Sequence, residues 1–406
     1  MEELIAQEYP QLQNTIYCDY ARSCPISKTQ MDNIQKLGLT IQPSPHSSED
    51  LSEFDRVLDL LRADLTHLCN TSLVRYATVL FSDRESALQS IFEGFPWSEG
   101  SHFLLDTENG IDSIDYTWCI DCATKSGASL IDFSNLNNVK SHSHSLLCCT
   151  YRPSLMESIM TFIGNGSGMH QVLLDATALA PFDYPDLFVN PFDFCLISLE
   201  RVCGVHLCAC LMRLDTADLL QPQFFGGGAV AFSCARLLKH RPFRSHSKRF
   251  ENGTPPLLNI FSAYYGLRTI KTILNFALTI EEPVESKEIS ESKEISESTE
   301  ISETKESIEN MKMPEKKVVY LARENVKNVF EGFIQMIQTK FPSLSFQPDP
   351  DTFSVLVEFP NAATVHQSLL SKKICTGLKG SCLRFSFGIG SKVSDISAIA
   401  DALLSI

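Results

Sequence analysis

Two short apolar runs, each ending on charged groups, constrain this chain most. The first reads Val172-Leu173-Leu174-Asp175-Ala176. The second reads Phe192-Asp193-Phe194-Cys195-Leu196-Ile197-Ser198-Leu199-Glu200-Arg201-Val202-Cys203-Gly204. Continuous apolar runs of this length suit parallel strands buried on both faces. Their C-terminal ends then open into the crevice where open α/β sheets bind ligands. Asp175 and Arg201 are therefore the first candidate site residues.

The rest of the chain agrees with an α/β class. Leu51, Phe54, Val57, Leu58, Leu61 and Leu65 recur near a period of 3.6 and predict a helix over 50–70. Strands are expected at 77–82, 102–105, 128–131, 145–149, 172–174, 194–197 and 207–212. A helix over 84–94 follows the first of these, with Ser82 or Asp83 as its N-cap. Strands alternating with helices imply a largely parallel sheet. Further on, the turn Phe225-Gly226-Gly227-Gly228-Ala229-Val230 precedes Arg249-Phe250-Glu251-Asn252-Gly253-Thr254, and Pro255-Pro256 introduces a helix over 257–277.

Residues 285–308 repeat every six positions, from Glu-Ser-Lys-Glu-Ile-Ser to Glu-Thr-Lys-Glu-Ser-Ile. That period fits neither a heptad seam nor a strand, and one Ile per repeat cannot build a core. The stretch 281–315 is read as an acidic, low-complexity linker, disordered or fraying-helical. It divides a large domain, 1–280, from a small α/β domain, 316–406. In the latter, helices are expected at 324–341, 362–370 and 393–404, and strands at 353–359 and 382–387.

The formal net charge is −15, and residues 281–310 supply 3 − 11 = −8 of it from three Lys and eleven Glu. An acidic balance argues against nucleic acid or an anionic membrane as partner. No apolar run is long enough to span a bilayer, and Met1-Glu2-Glu3-Leu4 does not open a secretory signal. A cytoplasmic, reducing compartment is expected, with most of the fourteen Cys as small buried hydrophobes, the vicinal pair Cys148-Cys149 included. The single CxxC, Cys119-Ile120-Asp121-Cys122, has no second CxxC to complete a zinc site, and no HExxH, GxSxG or Walker A motif is present.

Several segments together resemble class V aminotransferase-type proteins of the molybdenum cofactor sulfurase group, related plant proteins included. They are Val172–Ala176, Asp193–Gly204, Phe225–Val230, Arg249–Thr254, Phe92-Glu93-Gly94-Phe95-Pro96-Trp97 and, more weakly, Leu383-Arg384-Phe385-Ser386-Phe387-Gly388. Their order and spacing carry the resemblance. It implies a fold-type-I pyridoxal-phosphate (PLP) enzyme with a seven-stranded, mostly parallel sheet and a homodimer with sites at the subunit interface. It also implies sulfur transfer from L-cysteine through a persulfide to the molybdenum cofactor.

Carried over position by position, Asp175 matches the carboxylate that holds the pyridine nitrogen; the other reading is an Asp capping the next turn. Arg201 stands where the resemblance implies the Schiff-base lysine, and a guanidinium cannot form that bond. Arg201 either binds an anion or makes a salt bridge, with Asp175 as one partner. The phosphate cradle, a turn of small residues in the family, reads Phe81-Ser82-Asp83-Arg84-Glu85-Ser86 here. Asp83 and Glu85 oppose a dianion there but suit a helix start. Asn109 falls near the family's ring-stacking histidine, and Ala229 replaces a threonine after Gly227 and Gly228. Cys375 is the candidate for the persulfide cysteine, while Cys382 opens a strand.

The sequence thus predicts a fold-type-I PLP-dependent transferase-like protein without covalent cofactor chemistry. Ser82, Asn109, Asp175, Arg201 and Gly227 are the vestigial cofactor positions, and no metal is expected. A regulatory or interaction role with an unidentified protein partner follows. The alternative is an active cysteine desulfurase or molybdenum cofactor sulfurase with atypical cofactor anchoring.

Overall fold

A computed structural model describes residues 2–38, 53–105, 113–132, 143–151, 156–165, 169–179, 184–237, 239–279 and 315–406. Asn109 and residues 281–314 of the acidic repeat lie outside the described residues.

The chain opens with α1 (Glu2–Glu8), β1 (Ile16–Cys18), α2 (Lys28–Gly38) and α3 (Glu53–Leu68). Next come β2 (Tyr76–Phe81), α4 (Arg84–Gly94), β3 (His102–Leu105), α5 (Ser113–Lys125), β4 (Ser129–Asp132) and β5 (Ser145–Thr150). α6 (Met156–Asn165), β6 (His170–Asp175), β7 (Phe194–Ser198), α7 (Leu199–Cys203), β8 (Cys208–Arg213) and α8 (Leu214–Ala217) follow. A hairpin of β9 (Val230–Cys234) and β10 (Lys239–Pro242) leads through α9 (His246–Phe250) to the long α10 (Leu257–Thr279). The last part holds α11 (Glu315–Lys340), β11 (Phe346–Asp349), β12 (Ser354–Glu358), α12 (Ala362–Ser371), β13 (Ile374–Lys379), β14 (Cys382–Ser386) and α13 (Val393–Leu404).

Seven strands form the central sheet in the order β2-β8-β7-β6-β5-β3-β4. Only β8 runs against its neighbours, β2 and β7; the other pairings are parallel. The mostly parallel α/β sheet expected from the sequence is therefore present. Successive strand residues face opposite layers, as the period of two requires. Leu147, Cys149, Val172, Leu174 and Cys195 join one core with α3 and α10. Leu146, Cys148, Leu173, Phe194 and Leu196 join the other with α4 and α5. Cys148 and Cys149 are neighbours in sequence that serve different cores, which accounts for the vicinal pair.

A second sheet has the order β1-β13-β14-β12-β11, covered by α11 and α13 around its own apolar core. The N-terminal segment, grouped with the large domain in the sequence reading, supplies β1 to this second sheet, parallel to β13. Arg384 Nη2 on β14 donates to Asp19 Oδ1 at 2.9 Å, and Ala21 N donates to Ser386 Oγ at 2.8 Å. Tyr20 packs so closely on Gly388 that a Cβ there would stand 2.3 Å from its ring. Residues 19–24 then run from this sheet to the strand ends of the first.

Candidate functional site

Asp175 closes β6, and Arg201 sits one turn beyond β7, so the adjacent parallel strands bring the two acid and base positions to one edge. β7 passes into α7 at Ser198 without an intervening loop. α7 ends at Gly204, whose φ of +74° favours glycine and whose added Cβ would meet Cys24 O at 2.5 Å. Cys24 N and Gly204 N both donate to Glu200 O, at 2.9 and 3.0 Å. The turn that carries Arg201 is thereby clasped by the N-terminal segment.

Arg201 Nη1 donates to Ala178 O at 3.0 Å. Burial first, and then the charge of Arg384, push its guanidinium down to about 10, so it stays protonated near neutral pH. The salt bridge to Asp175 that the sequence allowed for Arg201 is made instead by Arg84. Arg84 Nε lies 2.7 Å from Asp175 Oδ2, and Tyr116 Oη donates to the same oxygen at 2.7 Å. Thr177 N and Thr177 Oγ1 donate to Oδ1 at 3.0 and 2.5 Å. A carboxylate offers about four acceptor positions, and the chain's own donors engage all of them. The Arg84 guanidinium also lies over the Tyr116 ring, 5.0 Å from its centroid. Burial alone would raise the Asp175 carboxyl; the Arg84 charge and the bonds from Thr177 and Tyr116 outweigh it and hold the group below the usual carboxylate range.

Arg84 is the functional residue that sequence reasoning missed. The available signal was a long cationic side chain inside a turn where the family keeps small residues. Ser82 stands at the end of β2, with its Oγ 2.9 Å from Asp83 Oδ2 and from Ser86 Oγ. Asp83 is the N-cap of α4: its Oδ1 accepts from Ser86 N at 2.6 Å. The cap reading of this turn describes what the side chain does.

A cleft of about 300 Å³ opens before these groups, with Arg22, Arg84, Arg201 and Arg384 in its walls. Asp83, Glu85 and Glu200 line it too, so its charge is mixed. A larger cleft of about 460 Å³ lies beside Ser82 and Ser86, walled by Phe224 and the 249–256 segment, but Arg201 and the Asp175 partners Arg84 and Thr177 line only the smaller one. We place the candidate chemistry in the smaller cleft for that reason.

Two sequence candidates fall elsewhere. Gly227 accepts from Gly253 N at 2.7 Å through its carbonyl, and Gly226 N donates to Asn252 Oδ1 at 2.9 Å. A Cβ on Gly228, at φ +89°, would come 2.8 Å from Gly253 O, so this glycine turn is shaped by the turn it packs on and does not line the Arg201 cleft. Cys375 lies inside β13, paired with Tyr17, where burial and then Asp19 raise its thiol. Among the described residues no group of three or more His, Cys, Asp or Glu could hold a metal, and no helix is long and apolar enough to cross a membrane.

No model of a known protein family matches the chain. Its sequence is 25% identical over 329 residues to a molybdenum cofactor sulfurase of Oryza sativa subsp. japonica, covering 68% of this chain and 40% of that protein. The corresponding figures are 26% over 331 residues, 68% and 40% for the Arabidopsis thaliana protein of that name, and 25% over 306 residues, 67% and 34% for the Homo sapiens one. The matches thus take in about 40% or less of these relatives. Among solved structures, the cysteine desulfurase CsdA from Escherichia coli superposes with a TM-score of 0.74 at 13% identity, over 99% of this chain and 97% of that one. The cystine C-S lyase C-DES in complex with cysteine persulfide gives 0.72 at 13% identity, over 98% and 99%. A variant of that lyase holds glycine covalently linked to its PLP cofactor. The chain thus has the fold-type-I fold of the cysteine desulfurases, and its sequence is similar to that of the molybdenum cofactor sulfurases.

Proposed function

We propose that this chain is a molybdenum cofactor sulfurase-like protein that has left covalent pyridoxal chemistry and acts through interaction with another protein. The observation that carries the reading is Arg201. It stands in α7, just beyond β7, where the resemblance implies the Schiff-base lysine, and its Nη1 is committed to Ala178 O at 3.0 Å. An arginine keeps its proton and offers no free amine to condense with an aldehyde. The other residues do not fit the cofactor either. Asp175 has its acceptor positions engaged by Arg84, Tyr116 and Thr177. The small-residue cradle is replaced by a helix cap with the Asp83 carboxylate at its head. A regulatory role in the cytoplasm, as a homodimer, belongs to the same proposal.

A second reading is favoured by the fold likeness to cysteine desulfurases over nearly the full chain. On that reading the protein releases sulfur from cysteine with a PLP held in an unfamiliar way. Incubating the purified chain with PLP and L-cysteine decides between them. The first reading expects no sulfide above a no-protein control, and sustained sulfide release establishes the second. Light scattering on the same preparation reads the dimer.

A further inference from the structure

We infer that Arg84 is the residue that determines what the cleft accepts: its guanidinium stands, from within the chain, where a cationic aromatic ring would meet Asp175. The inference rests on the functional reading above and extends it from the missing amine to the ring position.

The geometry has three parts. First, the Arg84–Asp175 pair is internal: the side chains are 18% and 4% exposed, at 2.7 Å. One guanidinium already balances one buried carboxylate, and a second cation there would stand uncompensated away from water. Second, no acceptor is left. Arg84 and Tyr116 use Oδ2 and Thr177 uses Oδ1 twice, so a ring N–H would have to displace a bond already made. Third, Arg84 is delivered from a rigid start. It is the first residue of α4, directly after an N-cap fixed by the Ser86 N–Asp83 Oδ1 bond at 2.6 Å. Its planar cation rests on the Tyr116 ring at 5.0 Å, the kind of face-on cover that a flat ring would also use. Arg84 and Thr177, not Asp175, line the cleft, so it is closed to planar aromatic cations on that side and open on the side of Arg22, Arg201 and Arg384.

The test uses pyridoxine 5′-phosphate, which carries the ring nitrogen and the phosphate but no aldehyde, so binding does not depend on a lysine. Calorimetry should find that Arg84→Ala binds it roughly 10- to 100-fold tighter than the unaltered chain, the range one charged hydrogen bond represents. Equal affinities overturn the inference. Arg84→Ser, which also shortens the side chain, serves if the alanine variant does not fold. A second arm leaves the Arg84–Asp175 pair intact. Arg201→Lys alone should give no hydride-stable pyridoxyl-lysine at a PLP concentration that labels Arg84→Ala/Arg201→Lys. Label on the single variant to the same extent, or on neither, overturns the inference. Sulfide release by the unaltered chain would sink the functional proposal while leaving the Arg84 comparison readable.

Discussion

Arg62 Nη2 and Glu251 Oε2 meet at 2.6 Å with both side chains about nine-tenths buried. The other carboxylate oxygen, Oε1, accepts from Leu80 N at 2.9 Å. Glu251 thus fastens the 249–254 segment to the end of β2, two residues before Ser82. The segment that supported the family resemblance has a structural task in this chain. Burial raises the Glu251 carboxyl even with Arg62 beside it, so the pair does not fully offset its own desolvation.

Removing one partner of such a pair leaves a buried charge uncompensated. Glu251→Ala is expected to destabilise the chain by about 3 kcal/mol, because Leu80 N loses its acceptor and Arg62 keeps only the exposed Asp59 carboxylate, at 3.3 Å. Urea unfolding of the two proteins measures it as a shift in midpoint at unchanged slope. A change under about 0.5 kcal/mol would place Glu251 among ordinary surface residues.

Asp175 gives a pH signature. Its folded carboxyl lies below the ordinary value of about 3.9, so its contribution is fully present above that pH and is lost as pH falls through the lower folded value. Asp175→Asn should therefore be destabilised by about 3 kcal/mol at pH 7 and by clearly less at pH 3. A penalty that stays constant between those pH values contradicts the Arg84 pairing.

Gly204 tests the clasp on Arg201. Alanine there must hold φ near +74° and place its Cβ against Cys24 O. A loss of more than about 1 kcal/mol is expected from thermal or urea unfolding, since alanine at positive φ is strained. An unchanged midpoint would show that the α7 turn can relax away from residues 22–26.

Cys375 is expected to react slowly. Burial and Asp19 raise its thiol, and only the thiolate is nucleophilic. Iodoacetamide labelling followed by mass spectrometry should show Cys375 alkylated at neutral pH more slowly than a free thiol of pKa about 8.5. Alkylation faster than that would return it to the persulfide role.

Much of this architecture was legible because strands buried on both faces leave long apolar runs. The runs ending at Asp175 and Arg201 became β6 and β7, and helices 84–94 and 393–404 were read at their observed bounds. β13 escaped notice: Ile374–Lys379 carries Gly377 and alternates weakly, and its pairing with β1 joins residues far apart in sequence. The β9–β10 hairpin is exposed along most of its length, and β10, Lys239-His240-Arg241-Pro242, carries no apolar residue pattern to announce it. The role of Arg84 was hidden for a related reason. Its partner lies 91 positions away, and no local pattern names the cation that will reach a given carboxylate.

The central claim is that no lysine of this chain holds a pyridoxal aldehyde. The direct measurement is borohydride reduction of the purified protein with added PLP, followed by peptide mapping. The account predicts no stoichiometric pyridoxyl adduct on any lysine. A single lysine carrying one reduced cofactor per chain would contradict it.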